Sequence, residues 1–206
     1  MIYLIITTCI NNKVGVLNFN HRENRYTQCI SSALKLVGKH KIKTIIVENN
    51  GFRNTYLDNL NCDVVYTDNN KKNHIHKGVN ELLDIKEVIN QYNIQDDDII
   101  IKLTGRYKLL NLNFINLVKN NSGEYDAFVK FFNVCTFKYM MNDSVLGLFA
   151  IKCKYLKDLN YDCNDSPEGE FARHVRKHIN INKIMEIKHE LNLECCFVDN
   201  SNVIYI

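Results

Sequence analysis

Residues 96–110 read DDDIIIKLTGRYKLL: three acids, three isoleucines, then the polar cluster Lys102-Leu103-Thr104-Gly105-Arg106-Tyr107. A short, nearly continuous apolar run of this kind suits a strand covered on both faces, which is how parallel strands are built. Three earlier segments have the same character: IYLIIT (2–7), KTIIVE (43–48) and CDVVYT (62–67). Between the first two lies RYTQCISSALKLVG, whose Tyr26, Ile30, Ala33, Leu34 and Val37 recur at helical spacing before Gly38 closes the segment. Between the third strand and DIIIKL (98–103) lies KGVNELLDIKEVINQY, with Val79, Leu82, Leu83, Ile89 and Tyr92 predicted on one face. Strand, helix, strand, strand, helix, strand predicts an α/β fold with a mainly parallel sheet flanked by helices.

The second half is less regular. YDAFVKFF (125–132) and SVLGLFAIK (144–152) read as strands, CCFVD and VIYI as weaker ones, and antiparallel additions are expected here. One helix is well signalled in DSPEGEFARHVRKHI: Asp165 or Ser166 as N-cap, Pro167 at the first helical position, and Phe171, Val175 and Ile179 spaced by four.

Composition narrows the function. Twenty-six basic against 23 acidic residues leave a net charge of +3, far from the basic surface of a dedicated nucleic-acid binder. No stretch approaches the apolar length of a membrane span, and MIYLIITTCINN lacks the features of a signal peptide, so a cytoplasmic protein is expected. The eight cysteines include no C-x-x-C pair and read as small hydrophobes in a reducing compartment.

In an open α/β sheet the ligand lies beyond the carboxyl ends of the strands, near the point where strand order reverses. Those exits are Thr7-Thr8-Cys9, Glu48-Asn49-Asn50-Gly51, Thr67-Asp68-Asn69-Asn70 and Thr104-Gly105-Arg106-Tyr107. All four are polar, as turn formers generally are, but their convergence suggests a site for a base, a ribose and a phosphate. Neither G-x-G-x-x-G nor G-x-x-x-x-G-K-[ST] follows the first strand, so a bound nucleotide would be held without a glycine-rich cradle.

YLIITT with its following helix, TIIVENNG, DVVYTDNN, KGVNELL and DIIIKLTGRYKL resemble, in order, the first 110 or so residues of nucleotide-sugar glycosyltransferases of the GT-A fold. The K-L-T-G-R-Y run is similar to a segment of bacterial and large-DNA-virus sugar transferases. The resemblance implies one glycosyltransferase-like domain over 1–206, with 1–110 binding the nucleotide sugar and 111–206 on the acceptor side. It implies a donor of the UDP or dTDP type and a glycan or protein acceptor, in host cytoplasm or virion if the source is viral. Thr7, Thr8, Glu48 and Asn49 would neighbour base and ribose, Asp68 the ribose or sugar, and Lys77, Gly78 and Asn80 the donor, at a helix start that favours negative charge.

GT-A enzymes usually carry a D-x-D metal motif where this chain has Thr104-Gly105-Arg106. Asp96, Asp97 and Asp98 spell D-x-D but precede the strand, at the opposite edge of the sheet roughly 15–20 Å away, and are expected to form a solvated turn. Mn²⁺ or Mg²⁺ is therefore an open question. Arg106, with Lys102 unless that side chain points into the sheet, would neutralise the donor diphosphate, and Gly105 would let the backbone approach the donor. For an inverting transfer, Glu168 and Glu170 resemble the acidic pair beneath the acceptor, with Asp143 in reserve; acids in a first helical turn also simply complement the helix dipole. A sugar nucleotidyltransferase or a non-catalytic nucleotide-sugar-binding protein is the alternative. His74 and His76 lack an identifiable third ligand and read as loop surface, and RHVRKH (173–178) as a solvated basic face.

Overall fold

The structure, a computed structural model, describes residues 1–11, 19–38, 40–71, 77–196 and 202–206. His74, His76 and most of the loop after the first strand lie outside the described residues. Seven strands form the main sheet: β1 (Ile2–Thr8), β2 (Lys43–Glu48), β3 (Asp63–Tyr66), β4 (Ile99–Thr104), β6 (Ala127–Val129), β7 (Leu148–Lys152) and β8 (Ile184–Glu186), in the order β3-β2-β1-β4-β7-β6-β8. The first four are mutually parallel, β7 runs antiparallel to its neighbours β4 and β6, and β6 pairs parallel with β8. A smaller antiparallel sheet joins β5 (Lys108–Leu109), β9 (Leu193–Cys196) and β10 (Val203–Tyr205). The mainly parallel sheet, the flanking helices and the antiparallel additions expected from sequence are present.

Side chains alternate across the sheet with a period of two, and this divides the core. Tyr3, Ile5, Ile45, Val47 and Ile100 pack on one face with helices α2 (Lys77–Gln91), α4 (Cys153–Asp158) and α5 (Pro167–His178). Leu4, Ile6, Ile46, Ile99, Ile101 and Leu103 pack on the other with α1 (Phe19–Val37) and α3 (Asn113–Asn121). Lys102 falls between Ile100 and Thr104 on the α2 face, a polar residue where the pattern otherwise demands an apolar one.

Several boundaries differ from the sequence reading. Helix α1 starts at Phe19, about two turns before Tyr26, the first of its regularly spaced apolar residues, and the stretch between them, residues 20–25, is polar. The buried face of α2 is Leu82, Ile85, Val88 and Ile89, while Val79 and Leu83 are only half-buried. The segment 125–132 contributes three residues of strand, since Lys130–Phe132 leave the sheet, and 144–152 contributes five. Four of the eight cysteines, Cys29, Cys153, Cys195 and Cys196, are buried, Cys135 is exposed and the rest are intermediate; all eight are free thiols. Among the described residues no helix is long and apolar enough to cross a membrane.

The chain steps from β1 outward to β3, then returns to β4 on the far side of β1. Strand order therefore reverses between β1 and β4, and the crevice outside their carboxyl ends is where the architecture itself puts a ligand. The backbone N–H of Gly105 donates to the Thr7 carbonyl at 2.9 Å, tying the two exits together. A β-carbon on Gly105 would meet the Thr8 methyl at 2.9 Å and the Thr7 oxygen at 3.0 Å, so only glycine permits this approach.

Candidate functional site

A cavity of about 270 Å³ opens at that crevice, and the residues around it come from eight segments distant in sequence, Asn70 and the pair Leu146 and Gly147 among them. Thr8 and Cys9 leave β1, Asn49 leaves β2, and Lys102, Thr104, Arg106 and Tyr107 come from the end of β4. Lys77, Gly78, Asn80 and Glu81 come from the first turns of α2, Arg22 and Tyr26 from α1, and Pro167 with Glu168 from the start of α5. The two helix starts touch: a β-carbon on Gly78 would lie 2.5 Å from that of Pro167. Two positive dipole ends thus face one cavity, an arrangement that favours bound negative charge.

The ion pair at its centre links three elements. Lys102 is almost fully buried; its Nζ donates to Glu81 Oε2 at 3.0 Å, to Thr104 Oγ1 at 2.6 Å and to the Leu146 carbonyl at 2.8 Å. Glu81 Oε1 accepts the Thr7 hydroxyl at 3.0 Å. Burial alone would raise the Glu81 pKa, but the Lys102 charge and hydrogen bond reverse this and hold it below the ordinary value. Burial pulls Lys102 down, against the Glu81 charge. Lys102 thus points off the sheet toward α2 and spends its donors on protein.

Around this pair the strand exits are wired to the helices. Asp84, fully buried on α2, accepts Asn49 Nδ2 at 3.0 Å, Thr67 Oγ1 at 2.6 Å and Asn69 Nδ2 at 2.8 Å. Burial raises its pKa to about 6, against the lowering effect of those three bonds. Glu48, also fully buried, accepts Thr8 Oγ1 at 2.7 Å, the Ile10 N–H at 3.1 Å and Arg53 Nη2 at 2.9 Å. It organises the loop after β1 from behind the cavity wall. Arg22 donates Nε and Nη2 to the Cys9 carbonyl at 3.1 and 2.9 Å, clamping the same loop.

Arg106 sits with its guanidinium carbon 5.1 Å from the Tyr107 ring centroid, and its Nε donates to the Cys196 carbonyl at 3.2 Å. Its own carbonyl is fixed by Arg25 Nε at 2.8 Å. Lys77 stands at the helix start with much of its surface open, and the partial desolvation of its ammonium against the cavity wall, together with the charges of Arg22 and Arg106, lowers its pKa. Asn80 is 6 % exposed and its Oδ1 has no hydrogen-bond partner, one of two such buried side-chain atoms among the described residues. An unmet buried acceptor is costly, and in a cavity wall it is an opening for a ligand donor.

The two glutamates of α5 separate. Ser166 caps the helix by accepting the Gly169 N–H at 3.1 Å. Glu170, 8 % exposed, accepts the Asp162 N–H at 2.8 Å and the Asp165 N–H at 3.3 Å, holding the preceding loop. Glu168 instead borders the cavity, and burial, with Asp143 and Glu81 as like charges, raises its pKa. Asp143 lies behind it, accepting Asn133 Nδ2 at 2.6 Å, while Ser144 donates its hydroxyl to the Glu168 carbonyl at 2.9 Å.

Of the residues expected at the donor, Thr8, Asn49, Lys77, Gly78, Asn80, Lys102, Thr104 and Arg106 border the cavity. Thr7, Glu48 and Gly105 support its wall. Asp68 lies outside, exposed, 3.5 Å from Lys71 over a neighbouring groove. Asp96 and Asp97 are exposed and pair with Lys157 and with Lys152 and Lys154, a solvated turn at the far end of β4. Asp98 differs from them: its carboxylate is largely covered and meets the terminal amine of Met1. Arg22, Glu81 and Asp84 were not singled out from sequence, because a charged residue within a helix reads as solvent-facing until packing buries it.

No family model matches the chain, and no curated protein matches it by sequence. Solved structures do. A provisionally described nucleotide-diphospho-sugar transferase from Desulfovibrio desulfuricans G20 superposes with a TM-score of 0.58 over 90 % of this chain and 79 % of its own, at 8 % identity. A 4-diphosphocytidyl-2C-methyl-D-erythritol synthase gives 0.54 over 93 % and 90 %, at 9 % identity. The bifunctional IspDF from Campylobacter jejuni gives 0.54 over 93 % of this chain, which spans half of that protein, at 12 % identity. At these identities the likeness is one of fold, a mainly parallel α/β sheet flanked by helices that this chain shares with all three. The cavity occupies the strand-exit crevice of this fold, at the reversal of strand order.

Proposed function

We propose that the chain is a glycosyltransferase that moves a sugar from a nucleoside-diphosphate sugar, of the UDP or dTDP type, to a hydroxyl of a glycan or protein acceptor, with inversion. In this reading the strand exits and α2 form the donor side and residues after 110 the acceptor side. The Glu168 carboxylate takes the proton of the acceptor hydroxyl as its oxygen bonds to the anomeric carbon. The bond from that carbon to the diphosphate oxygen breaks, and the electron pair leaves with the diphosphate toward Lys77 and Arg106.

The observation that carries the reading is Glu168: a carboxylate of raised proton affinity bordering a cavity with four basic side chains and one other acid. The fold itself also serves a diphosphocytidyl-methylerythritol synthase, so nucleotidyl transfer is the competing reaction. There the attacking group would be a phosphate oxygen, already anionic, with no proton to remove. A carboxylate beside it would repel the nucleophile, whereas a hydroxyl needs such a base. The loop after β1, CINNKVG, also offers only one lysine and one glycine for a triphosphate.

The test is product release over two panels. Nucleoside-diphosphate sugars should yield free nucleoside diphosphate in the presence of a sugar acceptor. Nucleoside triphosphates with sugar 1-phosphates should yield no pyrophosphate. Pyrophosphate release in the second panel would establish the nucleotidyltransferase, and binding without release in either would leave a non-catalytic binding protein.

A further inference from the structure

A departing nucleoside diphosphate gathers charge on the oxygens of two phosphates, and something in the cavity has to meet it. The end of β4 offers Thr104, Gly105 and Arg106, with no carboxylate to hold a divalent ion. Of the two cavity carboxylates, Glu81 has both oxygens engaged by Thr7 and Lys102, and Glu168 borders the cavity from α5. Among the described residues no group of three histidine, cysteine or acidic side chains gathers to hold a metal. The ligand set for a resident divalent cation does not fit here.

Positive charge does. Arg106 spends one of its five N–H donors on the Cys196 carbonyl, and among the described residues its two η-nitrogens donate to no protein group. Its backbone is pinned by Arg25 and its guanidinium rests against Tyr107, so the fork is held in place before any ligand arrives. A planar guanidinium with paired N–H groups matches two phosphate oxygens at once. Lys77, on the first turn of α2, borders the same cavity and adds a compact charge next to the helix start.

We infer that the cavity binds a diphosphate through protein cations, the Arg106 fork and the Lys77 ammonium, and requires no divalent metal ion to do so. This rests on the nucleoside-diphosphate-sugar reading, and inorganic pyrophosphate is the probe that separates the two, because it carries the diphosphate without base or sugar. Purified full-length chain, stripped with EDTA, should melt at a higher temperature with millimolar pyrophosphate than with sodium chloride of equal ionic strength. Adding Mg²⁺ or Mn²⁺ should change the shift little. Arg106→Gln should weaken pyrophosphate binding by roughly tenfold or more, the scale of charge-assisted bonds, and Arg106→Lys should restore only part of it. Lys77→Gln, on an exposed side chain, gives a second reading that does not depend on the folding of the Arg106 variants. A shift that appears only with added metal overturns the inference and leaves the sugar-transfer reading standing. So does undiminished pyrophosphate binding by folded Arg106→Gln and Lys77→Gln proteins. No shift from pyrophosphate, UDP or dTDP, with or without metal, overturns both.

Discussion

The two ends of β4 are equally polar in sequence and opposite in physics. At the amino end, Asp96 and Asp97 keep 65 % and 82 % of their side-chain surface exposed and pair directly with lysines at the surface. At the carboxyl end, Lys102 and Thr104 are buried and Arg106 borders a cavity. The difference follows from strand direction: the carboxyl ends of β1, β2 and β4 open toward one crevice, so Lys102 and Thr104 there are desolvated and their interactions strengthened, whereas Asp68 at the outer strand β3 stays exposed. Composition alone does not distinguish a solvated turn from a site; position relative to the strand does.

The sharpest way to break this comparison is through Glu168, the proposed base opposite that carboxyl end. Glu168→Gln keeps the shape and removes proton acceptance, so transfer should fall by roughly a hundredfold or more while nucleotide binding persists. Glu170→Gln should leave the chemical step nearly intact. Because burial raises the Glu168 pKa, transfer by the parent should fall as pH drops through that raised value, where the base becomes protonated. The acidic limb should vanish in Glu168→Gln. Equal rates for both Gln variants and the parent would move the base elsewhere, with Asp143 next in line.

A second effect concerns stability. Asp84→Ala strands three buried donors, from Asn49, Thr67 and Asn69, and should cost about 3 kcal/mol or more in chemical denaturation. The sign of its pH dependence is set by a folded pKa of about 6 against an ordinary 3.8. Between those values the folded chain holds a proton that the unfolded chain releases, so the Asp84 contribution to stability falls as pH rises through that window. Removing Asp84 should flatten that slope. An unchanged midpoint would show that these exits are held by something other than the carboxylate.

Next in size, Arg106→Ala should lower nucleoside diphosphate release by roughly tenfold or more, and Asp97→Ala should leave it unaltered. A greater loss for Asp97 would place the active edge at the wrong end of the sheet. The smallest effect closes the series: Asp97→Ala should change stability by less than about 0.5 kcal/mol, and less still at high salt, as exposed pairs do.

Much of this architecture is legible in the chain because buried parallel strands advertise themselves as apolar runs: KTIIVE coincides with β2, and IYLIIT falls one residue short of β1. Short elements escape. Strands β5 and β8 have two and three residues, and α4 six, too few for any period to show. In the candidate site, the strand exits could be named from their position after apolar runs. Arg22 could not, because its helix opens with the polar stretch NHRENR, and Glu81 and Asp84 could not, because only packing of α2 against the sheet turns them inward. Glu168 and Glu170 are two residues apart in one helical turn, and their different surroundings arise from the loop 162–165 folding back over one of them.

The antiparallel run of β7 beside β4 has a consequence for how the molecule assembles. Lys102 reaches the Leu146 carbonyl 44 residues away, and Thr104 donates its backbone N–H to Gly147. The strand-exit crevice is therefore floored by chain made well after β4, and its closure is a late, non-local event with the loop-closure entropy that implies. Until β7 docks, β4 is a naked sheet edge of three successive isoleucines, a template for pairing with other chains. A fragment ending near residue 110 should consequently aggregate instead of folding as a separate module.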